Sequence, residues 1–140
     1  MIKQISVFAE NKPGVLAKVT NLLKDEGINI FALTIAETGE FGVVRFIADM
    51  PDRAYEILHV AGYTVSETDV LGVGMEDVPG SLARIAYLLG DEDINIEYCY
   101  AFTMKNWAIL VLKVDDLERA ASVLKSSGKK LLSVDDVYRR

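Results

Sequence analysis

The clearest chemical pattern in this chain is a pair of short loops, Glu10-Asn11-Lys12-Pro13-Gly14 and Glu76-Asp77-Val78-Pro79-Gly80. Each stands between a run of alternating residues and a run of helical periodicity. The opening turn of a helix has backbone N–H groups without intrahelical acceptors and carries a partial positive charge, so it is a natural seat for a carboxylate. Gly14 and Gly80 let a ligand or a neighbouring backbone approach with no Cβ in the way. Asn11 offers both donors and an acceptor, whereas Asp77 offers acceptors only. The two loops are therefore expected to differ, the first being better suited to an anion. In isolation, an Asn-x-Pro-Gly string also reads as an ordinary helix start.

Little else suggests catalysis. His59, on a helical segment, and Cys99, in a strand-like one, are the sole histidine and cysteine and fall in different halves of the chain. A Cys–His pair would need the two side chains within hydrogen-bond reach. The simpler expectation is an exposed helix histidine and a core thiol. No Gly-rich phosphate loop, metal-ligand cluster or nucleophile elbow is present, so neither an enzyme nor a cofactor or metal is expected. Tyr98, Tyr100 and Phe102 alternate along one strand, and Phe41 to Phe46 partly imitates an RNA-binding strand. Its leading basic residue is missing, however, and Val43 stands where a stacking aromatic belongs. These aromatics are expected to serve sheet packing.

The composition agrees. Fifteen basic against 21 acidic residues give a net charge of −6, which opposes a phosphate-binding surface and hence a nucleic-acid partner. With 51% hydrophobic residues the chain is too apolar to be disordered. Its apolar runs, such as Trp107 to Leu112, are far shorter than the roughly 18 residues that span a bilayer. A lone cysteine forms no internal disulfide, and the first residues lack the apolar core of a leader. No membrane partner is expected, and the location is expected to be cytoplasmic.

The elements that position the loops repeat. Shifted by 66, residues 7 to 30 show 13 identities in 24 positions without a gap, among them Leu16/Leu82, Asp25/Asp91 and Ile28-Asn29-Ile30/Ile94-Asn95-Ile96. The alternation at Ile5, Val7 and Ala9 predicts a strand. Val15, Leu16, Val19, Leu22 and Leu23 predict a helix opened by Pro13 and ended by Gly27. Two strands follow, Ile28 to Ala36 and Phe41 to Ala48, then a helix after Pro51 and a strand from Tyr63. The second half predicts strands at Leu71 to Met75, Ile94 to Phe102 and Trp107 to Val114, with a turn at Lys105-Asn106. It also predicts helices at Pro79 to Leu89 and around Leu117 to Leu124, and a closing strand near Leu131 to Val134. The expected fold is α+β: two ferredoxin-like βαββαβ repeats, residues 1–68 and 69–140, each an antiparallel sheet with helices on one face. Units this small leave a sheet face and edge strands uncovered, which pairing of the two copies, and of two chains, would cover.

Glu-Asn-Lys-Pro-Gly-Val-Leu, followed after a helix by Gly27-Ile28-Asn29-Ile30, resembles an ACT domain, a small regulatory module that binds amino acids. The second copy resembles another, and with Ile35-Ala36-Glu37 and Phe41-Gly42 the whole is similar to stand-alone double-ACT proteins. The resemblance implies a free amino acid ligand held where two ACT units abut, the strand–helix loop of one facing the second strand of its neighbour. It carries the site onto Asn11, Lys12, Pro13, Gly14, Val15, Leu16 and Asn29, and in the second copy onto Asp77, Gly80 and Asn95. The helix start would hold the α-carboxylate. Asn11, Asn29 or Asp77 would accept from the ammonium, with Arg45 a second candidate partner for the carboxylate. Serine-sensing members can carry histidine two positions before Asn11; here Ala9 and Met75 stand there, which argues against serine.

The expectation is thus an allosteric amino-acid sensor, expected to be a homodimer. Its rival is a non-enzymatic subunit that docks on an amino-acid biosynthetic enzyme. An acylphosphatase-like hydrolase would need an arginine in the first loop, where Lys12 and Val78 stand, and a metal carrier would need a Cys-x-x-Cys pair there.

Overall fold

The computed structural model describes residues 1–104 and 107–138. It divides into two units, one comprising Lys3–Thr68 and the other the residues from Asp69 onward together with Met1–Ile2. The element order is β1 (Ile2–Glu10), α1 (Val15–Asp25), β2 (Ile30–Thr38), β3 (Phe41–Ala48), α2 (Pro51–Val60) and β4 (Thr64–Glu76). It continues with α3 (Ser81–Asp91), β5 (Ile96–Met104), β6 (Trp107–Val114), α4 (Leu117–Ser126), β7 (Leu131–Leu132) and α5 (Val134–Tyr138). The expected turn at Lys105-Asn106 lies outside the described residues.

Each unit is a βαββαβ arrangement with antiparallel neighbours. Strand order is β2-β3-β1-β4 in the N-terminal unit and β5-β6-β4-β7 in the C-terminal one, which is one and the same order with β4 contributing to both. This segment is expected as two strands, one from Tyr63 and one at Leu71 to Met75. It is instead a single strand of 13 residues, since nothing between Thr64 and Glu76 carries a turn signal strong enough to break it.

The cores confirm the repeat well beyond the stretch of visible identity. In the N-terminal unit Ile5, Val7, Val19, Leu23, Ile28, Val44, Phe46, Ala48, Ala54 and Leu58 are buried together. Each has a counterpart 66 residues on: Leu71, Val73, Ile85, Leu89, Ile94, Leu110, Leu112, Val114, Ala120 and Leu124. The apolar stripes of the helices, at spacings of three and four, meet the alternate residues of the strands. Fully burying one leucine or phenylalanine contributes about 1.5–3 kcal/mol, so these duplicated layers dominate the stability of each unit. On the other sheet face the apolar Val43, Ile47, Ile109 and Val111 are buried, and so are the polar Gln4 and Ser6.

Polar fixings repeat as well. Asn29 and Asp49 exchange bonds, the Asn29 N–H donating to Asp49 Oδ1 at 3.0 Å and the Asp49 N–H to the Asn29 carbonyl at 3.1 Å. Asn95 and Asp115 do the same at 3.1 and 3.2 Å. Arg53 pairs with Glu26 between α2 and α1, as Arg119 does with Glu92 between α4 and α3.

Two expectations at element ends and one at a side chain need correction. Helices α1 and α3 begin at Val15 and Ser81, two residues after each proline. Pro13-Gly14 and Pro79-Gly80 instead form the centres of turns closed by Val15 N–H to the Lys12 carbonyl and Ser81 N–H to the Val78 carbonyl, both 3.3 Å. The closing strand stops at Leu132, because Ser133 and Asp136 cap one another's backbone and start α5. Cys99 is exposed rather than in the core, since β5 is an outer strand of its unit. His59 is exposed on α2 and stacks on Tyr55, ring centroids 5.7 Å apart. Among the described residues no helix is long and apolar enough to cross a membrane.

Candidate functional site

The two loops have nearly the same backbone. Gly14 has φ 89° and ψ −13°, Gly80 φ 93° and ψ −11°, the left-handed values that the third residue of a type II turn requires. Proline suits the position before it, so Pro-Gly is explained by the turn itself. A Cβ at either glycine would meet nothing within 4 Å; the torsion, not crowding, selects glycine. The turn delivers the chain into a helix whose first residue follows the glycine, and no side chain caps either helix start. Val15 N–H is used by the turn, which leaves the amides of Leu16 and Ala17 as the helix-start donors.

At the first loop these donors adjoin a recess of about 60 Å³, lined by Ala9, Glu10, Asn11, Lys12, Val15, Leu16, Ile35, Gly42 and Val44. Ala9 faces Gly42 across the β1–β3 ladder and Val44 faces Ile35 across β3–β2. The floor is therefore the helix-covered side of the sheet, at the end where β1 runs into the loop. Small residues at Ala9 and Gly42 are what open it. The Asn11 N–H donates to the Glu40 carbonyl at 2.8 Å, tying the loop to the β2–β3 turn. Lys12 Nζ lies 2.7 Å from Glu10 Oε2 at the rim. That contact holds the Glu10 carboxyl below the usual carboxylate range, chiefly through the hydrogen bond and then through the lysine charge. It raises Lys12 in turn.

The structure thus brings Asn11, Lys12, Val15 and Leu16 together at one recess, with Pro13 and Gly14 shaping the turn beside it. Asn29 lies elsewhere in its unit. It pairs with Asp49 just past the far end of β3, about 25 Å from the loop at the strand rise of roughly 3.3 Å per residue. Asn95 is likewise fixed by Asp115, away from Asp77 and Gly80. Arg45 sits in mid-strand opposite Ser6 and Thr34, on the sheet face that the helices do not cover, so it does not reach the recess of its own unit. Asp77 and Gly80 occupy the equivalent second loop, exposed.

Ala9, Glu10, Ile35, Gly42 and Val44 were not anticipated as lining residues. Glu10 was visible in the repeated string, but assigning Ile35, Gly42 and Val44 requires the strand register, which one sequence does not encode openly. A wider hollow of about 460 Å³ lies over α3 and α4, between Leu88, Asp91, Glu92, Ser122, Val123, Ser126 and Ser127. None of the expected site residues borders it.

Comparison with known proteins bears on this arrangement. A family model described as an ACT domain pair matches residues 1–138. The crystal structure of protein BT0572 from Bacteroides thetaiotaomicron is similar at 40% identity and a TM-score of 0.93, over 99% of this chain and 96% of that one. The ligand-free regulatory subunit of aspartate kinase from Thermus thermophilus superimposes at 19% identity and a TM-score of 0.69, over 89% of this chain and 91% of that one. Its counterpart from Thermus flavus does so at 18% and 0.64, over 89% and 90%. At those identities the two subunits show a shared fold. No curated protein matches the chain.

Proposed function

Because the chain belongs to the ACT domain pair family, we propose that it is a regulatory protein without catalytic activity that senses a free amino acid. Residues 1–68 and 69–140 are its two ACT domains. The ligand binds at the first loop, where the recess beside Asn11 to Leu16 meets an ACT unit of a second copy in a homodimer, whose Asn29 and Arg45 complete the site. Location in the cytoplasm belongs to the same reading. The carrying observation is the uncapped start of α1 opening beside a recess with the Glu10–Lys12 pair at its rim. Helix-start amides take the α-carboxylate, and rim oxygens take the ammonium. Sensing requires that the ligand favour one arrangement of the protein over another.

The other reading is a subunit that docks on a biosynthetic enzyme. It draws support from Leu33 and Ile35, exposed along the outer strand β2, and from the fold shared with aspartate kinase regulatory subunits.

Thermal unfolding against the twenty amino acids separates the two. A ligand at 100 times its dissociation constant adds about 2.7 kcal/mol, a rise in Tm of roughly 5–10 °C for a chain of this size. Asn11→Ala is expected to abolish that rise and Asp77→Ala to leave it. A panel with no rise contradicts the sensor, and the opposite ranking of the two variants moves the site to the second loop.

A further inference from the structure

Resting on the amino-acid reading of the first loop, we infer that the ligand is an α-amino acid with an aliphatic side chain of up to about four carbons, whose ammonium group is received by the Glu10 carboxylate. Size comes first. On the measure by which one water needs about 10–15 Å³, a recess of about 60 Å³ holds roughly four to six heavy atoms. That accommodates the side chain of alanine, valine, leucine or isoleucine with its head group at the rim, and it is too small for an aromatic ring.

Chemistry comes second. The walls are Ala9, Val15, Leu16, Ile35, Gly42 and Val44, and polar side chains appear only at the rim, in Glu10, Asn11 and Lys12. On that floor a hydroxyl, amide or charged side chain would lose its water and meet no polar side chain of this unit in return. Each added methylene, by contrast, tightens binding about fourfold until the space is full.

The rim supplies both signs of charge. Glu10 and Lys12 already stand 2.7 Å apart, and a zwitterion can exchange with that pair, ammonium to Glu10 and carboxylate to Lys12 and the amides of Leu16 and Ala17. Both charged groups are solvent-exposed, so the exchange needs no burial of an unpaired charge. The second loop lacks this complement, with Val78 in place of Lys12 and the larger Met75 and Leu110 in place of Ala9 and Val44.

Calorimetric titration of the full chain with alanine, valine, leucine, isoleucine, phenylalanine, aspartate and lysine tests the assignment. The aliphatic four are expected to include the tightest binder, with the other three weaker by about tenfold or more. Glu10→Gln should weaken that best ligand about tenfold while circular dichroism stays unchanged. Gly42→Ala narrows the recess without a clash, its Cβ lying 3.6 Å from Ile35 Cγ2 and 3.7 Å from the Ala36 carbonyl. It should weaken leucine and isoleucine more than alanine. Tighter binding of a charged or aromatic amino acid overturns this inference and leaves the sensor standing, and silence of all twenty amino acids overturns both. An affinity unchanged in Glu10→Gln removes Glu10 from the site, and an unchanged order of ligands in Gly42→Ala moves the side chain out of the recess.

Discussion

The two loops share a backbone and differ in what surrounds it. Gly14 and Gly80 agree within a few degrees, and both helices start without a side-chain cap. Beneath the first loop lie Ala9, Gly42 and Val44; the same register positions in the second unit hold Met75, Ala108 and Leu110. Duplication has kept the turn, the core and the Asn–Asp clamps, all of which folding needs in both units. Room beside the helix start and a cation at the rim are what differ between the copies. On the proposed reading, the room and the charge found beside the first loop alone are what serve binding.

The largest effects should be equal in the two units. Leu58→Ala and Leu124→Ala each remove a side chain that is 0% exposed from equivalent core positions. Each should cost about 2–5 kcal/mol in chemical denaturation; a large loss in one and a small loss in the other would break the equivalence of the cores. Ala9→Met imports the residue of the second copy into the recess. It should cost more than about 2 kcal/mol of ligand affinity by calorimetry with the chain still folded, since Met75 is accommodated at that position. Gly14→Ala and Gly80→Ala should each lower stability by about 1–2 kcal/mol, the cost of left-handed backbone for a residue with a Cβ.

A smaller effect sharpens the comparison at the helix ends. Gly27 closes α1 at φ 71°, but Asp93 takes the same place after α3 at φ 59°. Asp93→Gly should therefore raise stability by about 0.5 kcal/mol, and Gly27→Asp should lower it. The smallest effect is electrostatic. Lys12 lowers the Glu10 pKa, so the contribution of the pair is present above the ordinary carboxylate value and is lost as pH falls through the lowered one. Lys12 is raised, so its share is present below the ordinary lysine value and is lost as pH rises through the raised one. Ligand affinity should follow the acid limb, and replacing Lys12 with the valine of the second copy should shift that limb upward.

Much of the fold could be read from the residues. Strand alternation at Ile5, Val7 and Ala9 and helical spacing at Val19 and Leu23 mark inward faces that are buried as expected. The repeat, dense in identities to Ile30, continues more sparsely through Asp49/Asp115, Arg53/Arg119, Ala54/Ala120 and Leu58/Leu124, and otherwise through the cores by residue class, with Phe46 answered by Leu112 and Ala48 by Val114. The merging of two expected strands into β4 is signalled only by the lack of a strong turn signal between Thr64 and Glu76, a cue that the repeat boundary at residue 68 outweighs. The short α5 is signalled by Ser133-x-x-Asp136, a capping box that follows a strand-like pair of leucines. At the site, local chemistry marked Asn11 to Leu16. Asn29 and Asn95 were drawn in by the resemblance, and their repetition is accounted for by backbone clamps with Asp49 and Asp115. Gly42 and Val44 became part of the site only through register.

The most direct test is a nitrogen–proton correlation spectrum of the whole chain, recorded as the best amino acid from the thermal panel is titrated in. The account predicts that the amides of Leu16 and Ala17, together with those of Ile35 and Gly42, move with one shared dissociation constant. The corresponding amides of Leu82, Ala83, Ala101 and Ala108 should stay in place. Movement centred on Leu82 and Ala83, or no movement at either helix start under saturating ligand, would contradict it.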